Sequence, residues 1–303
     1  MFVTDYKLWP ENSEADNQTK PKLLLLYLRA LKFQAQSYME IPLSNYSEKE
    51  IQELIQELDK KRNTLNGYAM NEPERFWHFL HHLFDKHPEL LAAYDIMGWD
   101  IWSQLYKTTY QKLIRLPDKK VYEYQPLQVA VHETDLNNKE NDHYLFVDIP
   151  HLESLMAKGE LKKRNVLLTI TDLEEWKYVE ALQHHEVKSL WVEPTLKILK
   201  ALDDEQLKDI DGLLFNPIKL EGFTPLIDLL MAYRKKNIPV GIALKEGSII
   251  GQTVYAQFAP VLQKLFITDT PYSLPATGIK FENDAIVFNQ APGMGLAFVE
   301  NFW

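Results

Sequence analysis

From residue 127 onward the chain keeps one rhythm, in which short apolar runs alternate with amphipathic segments of helical length. The runs are Leu127–Val131, Tyr144–Val147, Val166–Ile170, Leu190–Val192, Gly212–Phe215, Val240–Leu244 and Leu265–Ile267. Between most of them the spacing predicts helices over Asp172–His184, Thr195–Lys208, Thr224–Lys236 and Gly251–Gln263. A short apolar run bounded by polar turns is the pattern of a strand covered on both faces, and strand–helix alternation implies a parallel sheet. The span holding these runs is shorter than the roughly 200–250 residues of an eight-fold barrel. The expectation is therefore an α/β fold built on a shortened TIM-type barrel of about seven strands.

The first 116 residues read differently. Residues 11–21 are polar throughout and predict a loop, whereas Leu23–Phe33 is apolar-rich and predicts a strand of a small sheet. Ser47 is placed to cap a helix over Glu48–Arg62, with Glu50 three residues on completing a capping box and Ile51, Leu54, Ile55 and Leu58 forming one apolar stripe. A second helical block covers Glu74–Ile114, broken near Pro88, with Ala92, Ile96, Trp99 and Leu105 on buried faces. Residues 1–116 thus predict an α+β N-terminal domain, followed by the barrel over 117–303.

Composition narrows the function. A formal net charge of −10 argues against nucleic acid or an anionic membrane surface as partner. The absence of cysteine removes disulfides, thiolate nucleophiles and zinc–thiolate sites, and makes a cytoplasmic protein the expectation. The Leu23–Leu26 run is too short to span a bilayer.

Barrel chemistry sits at the carboxyl ends of strands. The predicted strand ends carry Asp148, Thr169, Glu193 and Asn216. Two carboxylates without a third hard oxygen ligand make a poor magnesium site. Asn216 can donate and accept hydrogen bonds but cannot abstract a proton. Lys219, three residues on, reads as a solvated lysine of the turn Pro217–Gly222, and Thr224-Pro225 as the opening of a helix. His78, His81 and His82 have metal-ligand spacing along a helix, but their aromatic, leucine-rich surroundings favour a structural role; His184 and His185 fit a helix end.

Several of these segments resemble the enolase superfamily, and within it the o-succinylbenzoate synthases, muconate-lactonising enzymes and dipeptide epimerases. Glu40-Ile-Pro-Leu-Ser-Asn-Tyr-Ser-Glu48 resembles a stretch of the capping domain, and Ala93–Leu105 the buried helix that leads into the barrel. Tyr122–Leu127 resembles the approach to the first strand, Asp211–Pro225 the sixth strand, Gly251–Phe258 the helix after the seventh, and Pro292–Leu296 the Pro-Gly tail. The resemblance implies a capping domain to which the C-terminal tail returns. It also implies two lysines, on strands two and six, and Mg²⁺ held by carboxylates on strands three, four and five, which together stabilise an enediolate.

Carried over residue by residue, the sixth-strand lysine falls on Asn216 and the second-strand pair near Phe146-Val-Asp148, which holds no lysine. The third-strand aspartate falls on Thr169 or Ile170, a further ligand on Val192, and the family's polar segment after strand seven on Glu246 or Gly247. The leading expectation is a relative without the family's metal-dependent activity and without a metal site. It keeps a pocket for a small carboxylate near Asn216, Asp148, Thr169, Glu193 and Glu246. One alternative is an active Mg²⁺-dependent lyase of menaquinone biosynthesis using Asp148, Glu193 and Lys219. Another is a protein-interaction module presenting the helices around Phe76–Trp102 or the segment Asn301-Phe302-Trp303.

Overall fold

A computed structural model of the chain describes residues 1–10, 21–69, 72–117, 121–129, 144–268, 272–282 and 285–298. The chain opens with an antiparallel sheet of β1 (Phe2–Pro10), β2 (Pro21–Ala30) and β3 (Ala35–Pro42), with β2 in the centre. Leu23 to Leu26 are all fully buried, so both faces of the central strand are covered and its sequence is continuously apolar. The flanking strands carry Thr4, Asp5, Lys7, Gln36 and Glu40, and this polarity hides them in the sequence.

Helix α1 (Glu48–Gly67) has the expected capping box: Ser47 Oγ accepts from Glu50 N–H, and Glu50 Oε2 accepts from Ser47 N–H at 2.7 Å. Pro73 and Pro88 open α2 (Pro73–Leu83) and α3 (Pro88–Leu105), and α4 (Tyr110–Leu113) follows. Phe76, Phe84, Tyr94 and Trp99 are buried in the core, which removes them as the contact surface of an interaction module. Residues 301–303 and the strand end Ala130-Val131 lie outside the described residues.

The barrel domain then runs through β4 (Val121–Glu123), β5 (Gln125–Val129), β6 (Tyr144–Val147), α5 (Ile149–Ala157), β7 (Asn165–Ile170), α6 (Trp176–His184), β8 (Ser189–Pro194) and α7 (Leu196–Ala201). It continues with β9 (Gly212–Leu214), α8 (Phe223–Lys235), β10 (Val240–Leu244), α9 (Ile249–Ala256) and β11 (Lys264–Thr268). Strands β5 to β11 are parallel, and β11 pairs with β5, closing a seven-stranded barrel. The tail adds β12 (Ala276–Thr277), β13 (Lys280–Glu282), β14 (Ala285–Val287) and β15 (Ala297–Phe298); β14 pairs with β4 on one side and β13 on the other, and β12 pairs with β15. No helix of the described residues is long and apolar enough to cross a membrane.

The helix predicted over Thr195–Lys208 is shorter than its apolar spacing suggests. The segment after β8 stops at Ala201 because Asp203 and Gln206 cap a new turn, each side chain bonding the other's backbone N–H. At the start of α8, Thr224 is not its own cap. Asp95 of α3 accepts from both Thr224 N–H (2.8 Å) and Thr224 Oγ (2.7 Å), so a carboxylate from another helix satisfies this N-terminus. Gly222, at φ 111°, makes the approach possible, since a Cβ there would stand 2.4 Å from Asp95 Oδ2.

Two more buried carboxylates tie the N-terminal domain to the barrel and tail. Glu40 on β3 accepts from Ser248 N–H and Oγ and from Gly251 N–H, at the start of α9. Asp100 on α3 accepts from Met294 N–H at 2.7 Å, and Phe298 packs its ring on Tyr38. Burial dominates all three carboxyls and pushes Glu40 and Asp95 up to about 7 and Asp100 up to about 6, against the hydrogen bonds they accept. The folded state therefore holds protons that the unfolded chain releases from about pH 4 upward, so these groups add stability that is lost as pH rises toward 7. In denaturant titrations between pH 4.5 and 7, stability is expected to fall by up to ~1.4 kcal/mol per pH unit for each group. Glu40→Gln, which keeps the acceptor oxygen, should make that fall shallower, and an unchanged slope would show that Glu40 is ionised throughout.

Candidate functional site at the barrel mouth

Alternation along the strands decides which side chains reach the site. Phe146, Leu167, Trp191, Leu214, Ala243 and Phe266 form one core inside the barrel, while Leu145, Val147, Val166, Leu168 and Val192 pack outward in another. Two residues beyond Leu167, Trp191 and Ala243 come Thr169, Glu193 and Lys245. These three project into the next layer, at the carboxyl ends of β7, β8 and β10.

They meet there. Glu193 is fully buried, and its Oε1 accepts from Lys219 Nζ at 2.6 Å, Lys245 Nζ at 3.1 Å and Thr169 Oγ at 3.3 Å. Lys245 also donates to Thr169 Oγ at 2.8 Å and lies 3.5 Å from the centre of the Phe146 ring, a desolvated cation–π contact. Glu193 Oε2 is buried with no hydrogen-bond partner among the described residues.

The electrostatics are strongly coupled. Burial pushes the Glu193 carboxyl up, but the ammonium groups of Lys245 and Lys219 outweigh it and bring it down to about 2. For Lys245 burial is the largest influence and lowers the amine to about 8, against the opposing pull of Glu193. The cluster holds two amines on one carboxylate, so it keeps an excess positive charge facing the mouth. Such a site attracts an anion and presents an amine poised near neutrality.

Asn216 Oδ1 accepts from Ile218 N–H (3.0 Å), Lys219 N–H (3.4 Å) and the Tyr255 hydroxyl (3.2 Å). It therefore shapes the turn that folds Lys219 back over the barrel. Lys219 is correspondingly not the solvated loop lysine its position suggests, because the turn after β9 points it at Glu193 rather than into water. The ligand position placed on Val192 also fails, since Val192 faces the outer helices and Glu193 faces inward.

Asp148 lies apart: it caps α5, bonding His151 N–H and the His151 ring, and remains half-exposed. Glu246 joins the domains instead of lining the cluster, accepting from the Ser44 and Tyr272 hydroxyls. His78, His81 and His82 are exposed on α2, and no group of three metal-ligating side chains occurs among the described residues. Lys245 is the site residue that sequence reasoning missed. The strand prediction stopped at Leu244, yet the small-residue parity of Gly241 and Ala243 already pointed the next odd position inward.

No family model matches the chain, and no curated protein matches it in sequence. Solved structures match over nearly its whole length. A mandelate racemase/muconate-lactonizing enzyme from Roseovarius nubinhibens ISM superposes with a TM-score of 0.72 at 11% identity, covering 99% of this chain and 95% of that one. A member of the enolase superfamily from the same organism gives 0.68 at 12% identity over 99% and 95%. A racemase from Streptomyces coelicolor A3(2) with bound magnesium gives 0.66 at 11% identity over 98% and 96%. The fold is that of the enolase superfamily. Within this enolase-superfamily fold, counting barrel strands in chain order puts Asn216 beyond the fifth and Lys245 beyond the sixth, so strand order and local sequence pattern select different residues at the mouth.

Replacing Glu193 by Gln leaves two ammonium groups facing each other without a counter-charge. Glu193→Gln is expected to cost ~3 kcal/mol of stability at pH 7, read from denaturant midpoints. The loss should shrink below about pH 4, where protonation in the unfolded chain already weakens the wild-type advantage. A variant as stable as wild type at pH 7 would show that the three groups are not engaged in solution.

Proposed function

We propose that this protein binds a small carboxylate at the Lys219–Glu193–Lys245 cluster and lacks the magnesium-dependent proton abstraction and dehydration of o-succinylbenzoate synthases. The observation that carries this reading is that one buried carboxylate oxygen is shared by two ammonium groups. Relatives in fold include a racemase with bound magnesium. The donor set here does not fit that ion. Mg²⁺ seeks several hard oxygen ligands at ~2.0–2.1 Å. Glu193 is the carboxylate of the cluster, its Oε1 lies within 3.1 Å of both amines, and Thr169 Oγ accepts from one of them. A divalent cation on that oxygen would meet two positive charges at contact distance. Asp148, which the active-lyase alternative needs beside Glu193, caps α5 instead.

What the cluster suits is an anion without a metal. Lys219 and Lys245 retain 32% and 22% of their side-chain exposure, enough to meet a ligand entering at the mouth. A carboxylate there gains charge-assisted hydrogen bonds in a partly desolvated setting.

Thermal unfolding separates the readings, because a ligand that binds only the folded state raises stability by RT ln(1 + [L]/Kd), about 2.7 kcal/mol at a hundredfold excess over Kd. Succinate is expected to raise the Tm of the wild type and not of Lys219→Gln, while MgCl₂ at matched ionic strength leaves it unchanged. Magnesium-specific stabilisation together with dehydration of the cyclohexadiene carboxylate substrate above a no-enzyme control would overturn the proposal.

A further inference from the structure

Lys245 is placed for covalent chemistry as well as for charge. Its Nζ rests on the Phe146 ring, donates to Thr169 Oγ and Glu193 Oε1, and shares that carboxylate oxygen with a second amine. The side chain is mostly buried yet still reachable from the mouth. Beside it, Glu193 Oε2 is a buried acceptor with no partner among the described residues. We propose that Lys245 forms an imine with a small 2-oxo carboxylate whose carboxylate group is held by Lys219. The proposal rests on the carboxylate-binding reading above and adds a covalent step to it.

The step balances within the cluster. Glu193 takes one proton from the Lys245 ammonium, and the freed lone pair bonds to the carbonyl carbon as the C=O π pair moves onto oxygen. A second proton passes from nitrogen to that oxygen, giving a carbinolamine. Glu193 then returns its proton to the hydroxyl, the C–O bond breaks, and water leaves as nitrogen forms the C=N bond. Ammonium plus ketone becomes iminium plus water, with no change in oxidation state and no further reactant. An adjacent cation and a desolvated pocket are the two recognised ways of making a lysine nucleophilic near neutral pH, and both are present.

The charged groups acting on Lys245 are Glu193, Lys219 and Glu246, and burial outweighs the two carboxylates, bringing the amine to about 8. At neutral pH the free-amine fraction is then about two orders of magnitude above that of an ordinary lysine. A 2-oxo acid matches this pair of amines better than a simple carboxylate does, since its electrophilic carbon and its anion sit on adjacent atoms.

The test is reductive trapping of the full chain with pyruvate and cyanoborohydride, followed by peptide mass mapping. The expected result is a secondary-amine adduct on Lys245 at about tenfold or more the level at the exposed Lys49 and Lys208, with a labelling rate that rises through about pH 8. Lys245→Arg, which keeps the charge, should abolish this adduct at unchanged Tm, and Lys219→Gln should raise the pyruvate concentration needed for half-maximal labelling. Labelling of Lys245 no greater than that of the exposed lysines, or preferential labelling of Lys219, would overturn the proposal. Stabilisation by succinate without trapping overturns the imine and leaves the carboxylate reading standing; absence of both removes both.

Discussion

Closing seven strands into a barrel leaves a lumen that must be filled, and this constraint sets everything above it. A barrel of about eight strands is just wide enough for its own side chains, and this one is narrower. Trp191 occupies much of the interior, and only glycine fits opposite it: a Cβ on Gly212 would stand 2.5 Å from the indole, and one on Gly241 would be 3.1 Å away. With Phe146, Leu167, Leu214, Ala243 and Phe266 completing that layer, the next inward positions are forced into one plane at the mouth. Thr169, Glu193 and Lys245 meet because the layer beneath them is packed.

Placing a charge on that plug has a large desolvation cost, which the geometry answers with two amines rather than one. A single exposed ion pair contributes little, whereas a buried carboxylate without partners is strongly destabilising. The pair of ammonium groups brings Glu193 down to about 2, while burial holds Lys245 near 8. Large downward shifts in two neighbouring groups, at the carboxyl end of barrel strands, mark a chemical site more than a structural tie. The N-terminal domain supports it from outside. Glu40 grips the start of α9, three residues past Lys245, and Glu246 bonds Ser44, so the loop carrying the amine is held by a different domain from the strand that leads into it.

The scaffold was largely legible in the sequence. All seven barrel strands were marked by apolar runs, α1 by its capping box, and α2 and α3 by one helical block broken near Pro88, because each of these signals is local. Strands β1 and β3 were not, since their polar positions are explained only by partners far along the chain, such as Tyr94 for Thr4 and Ser248 for Glu40. The site was half legible. Thr169 and Glu193 stood out as polar strand ends, but the inward choice between Val192 and Glu193 needed the barrel's phase, and Lys245 lay one residue past the predicted strand.

The sequence by itself determined the strand–helix rhythm, the shortened barrel, the absence of thiol chemistry and the scarcity of carboxylates where a magnesium site would need them. These follow from residue identity and local periodicity. Tertiary structure alone decided that the barrel closes, that Lys219 turns inward, and that two lysines far apart in the chain converge on one oxygen of Glu193. Convergence depends on strand register and on which face of each strand points into the lumen, and both are set by packing around Trp191 rather than by any neighbouring residue in the chain.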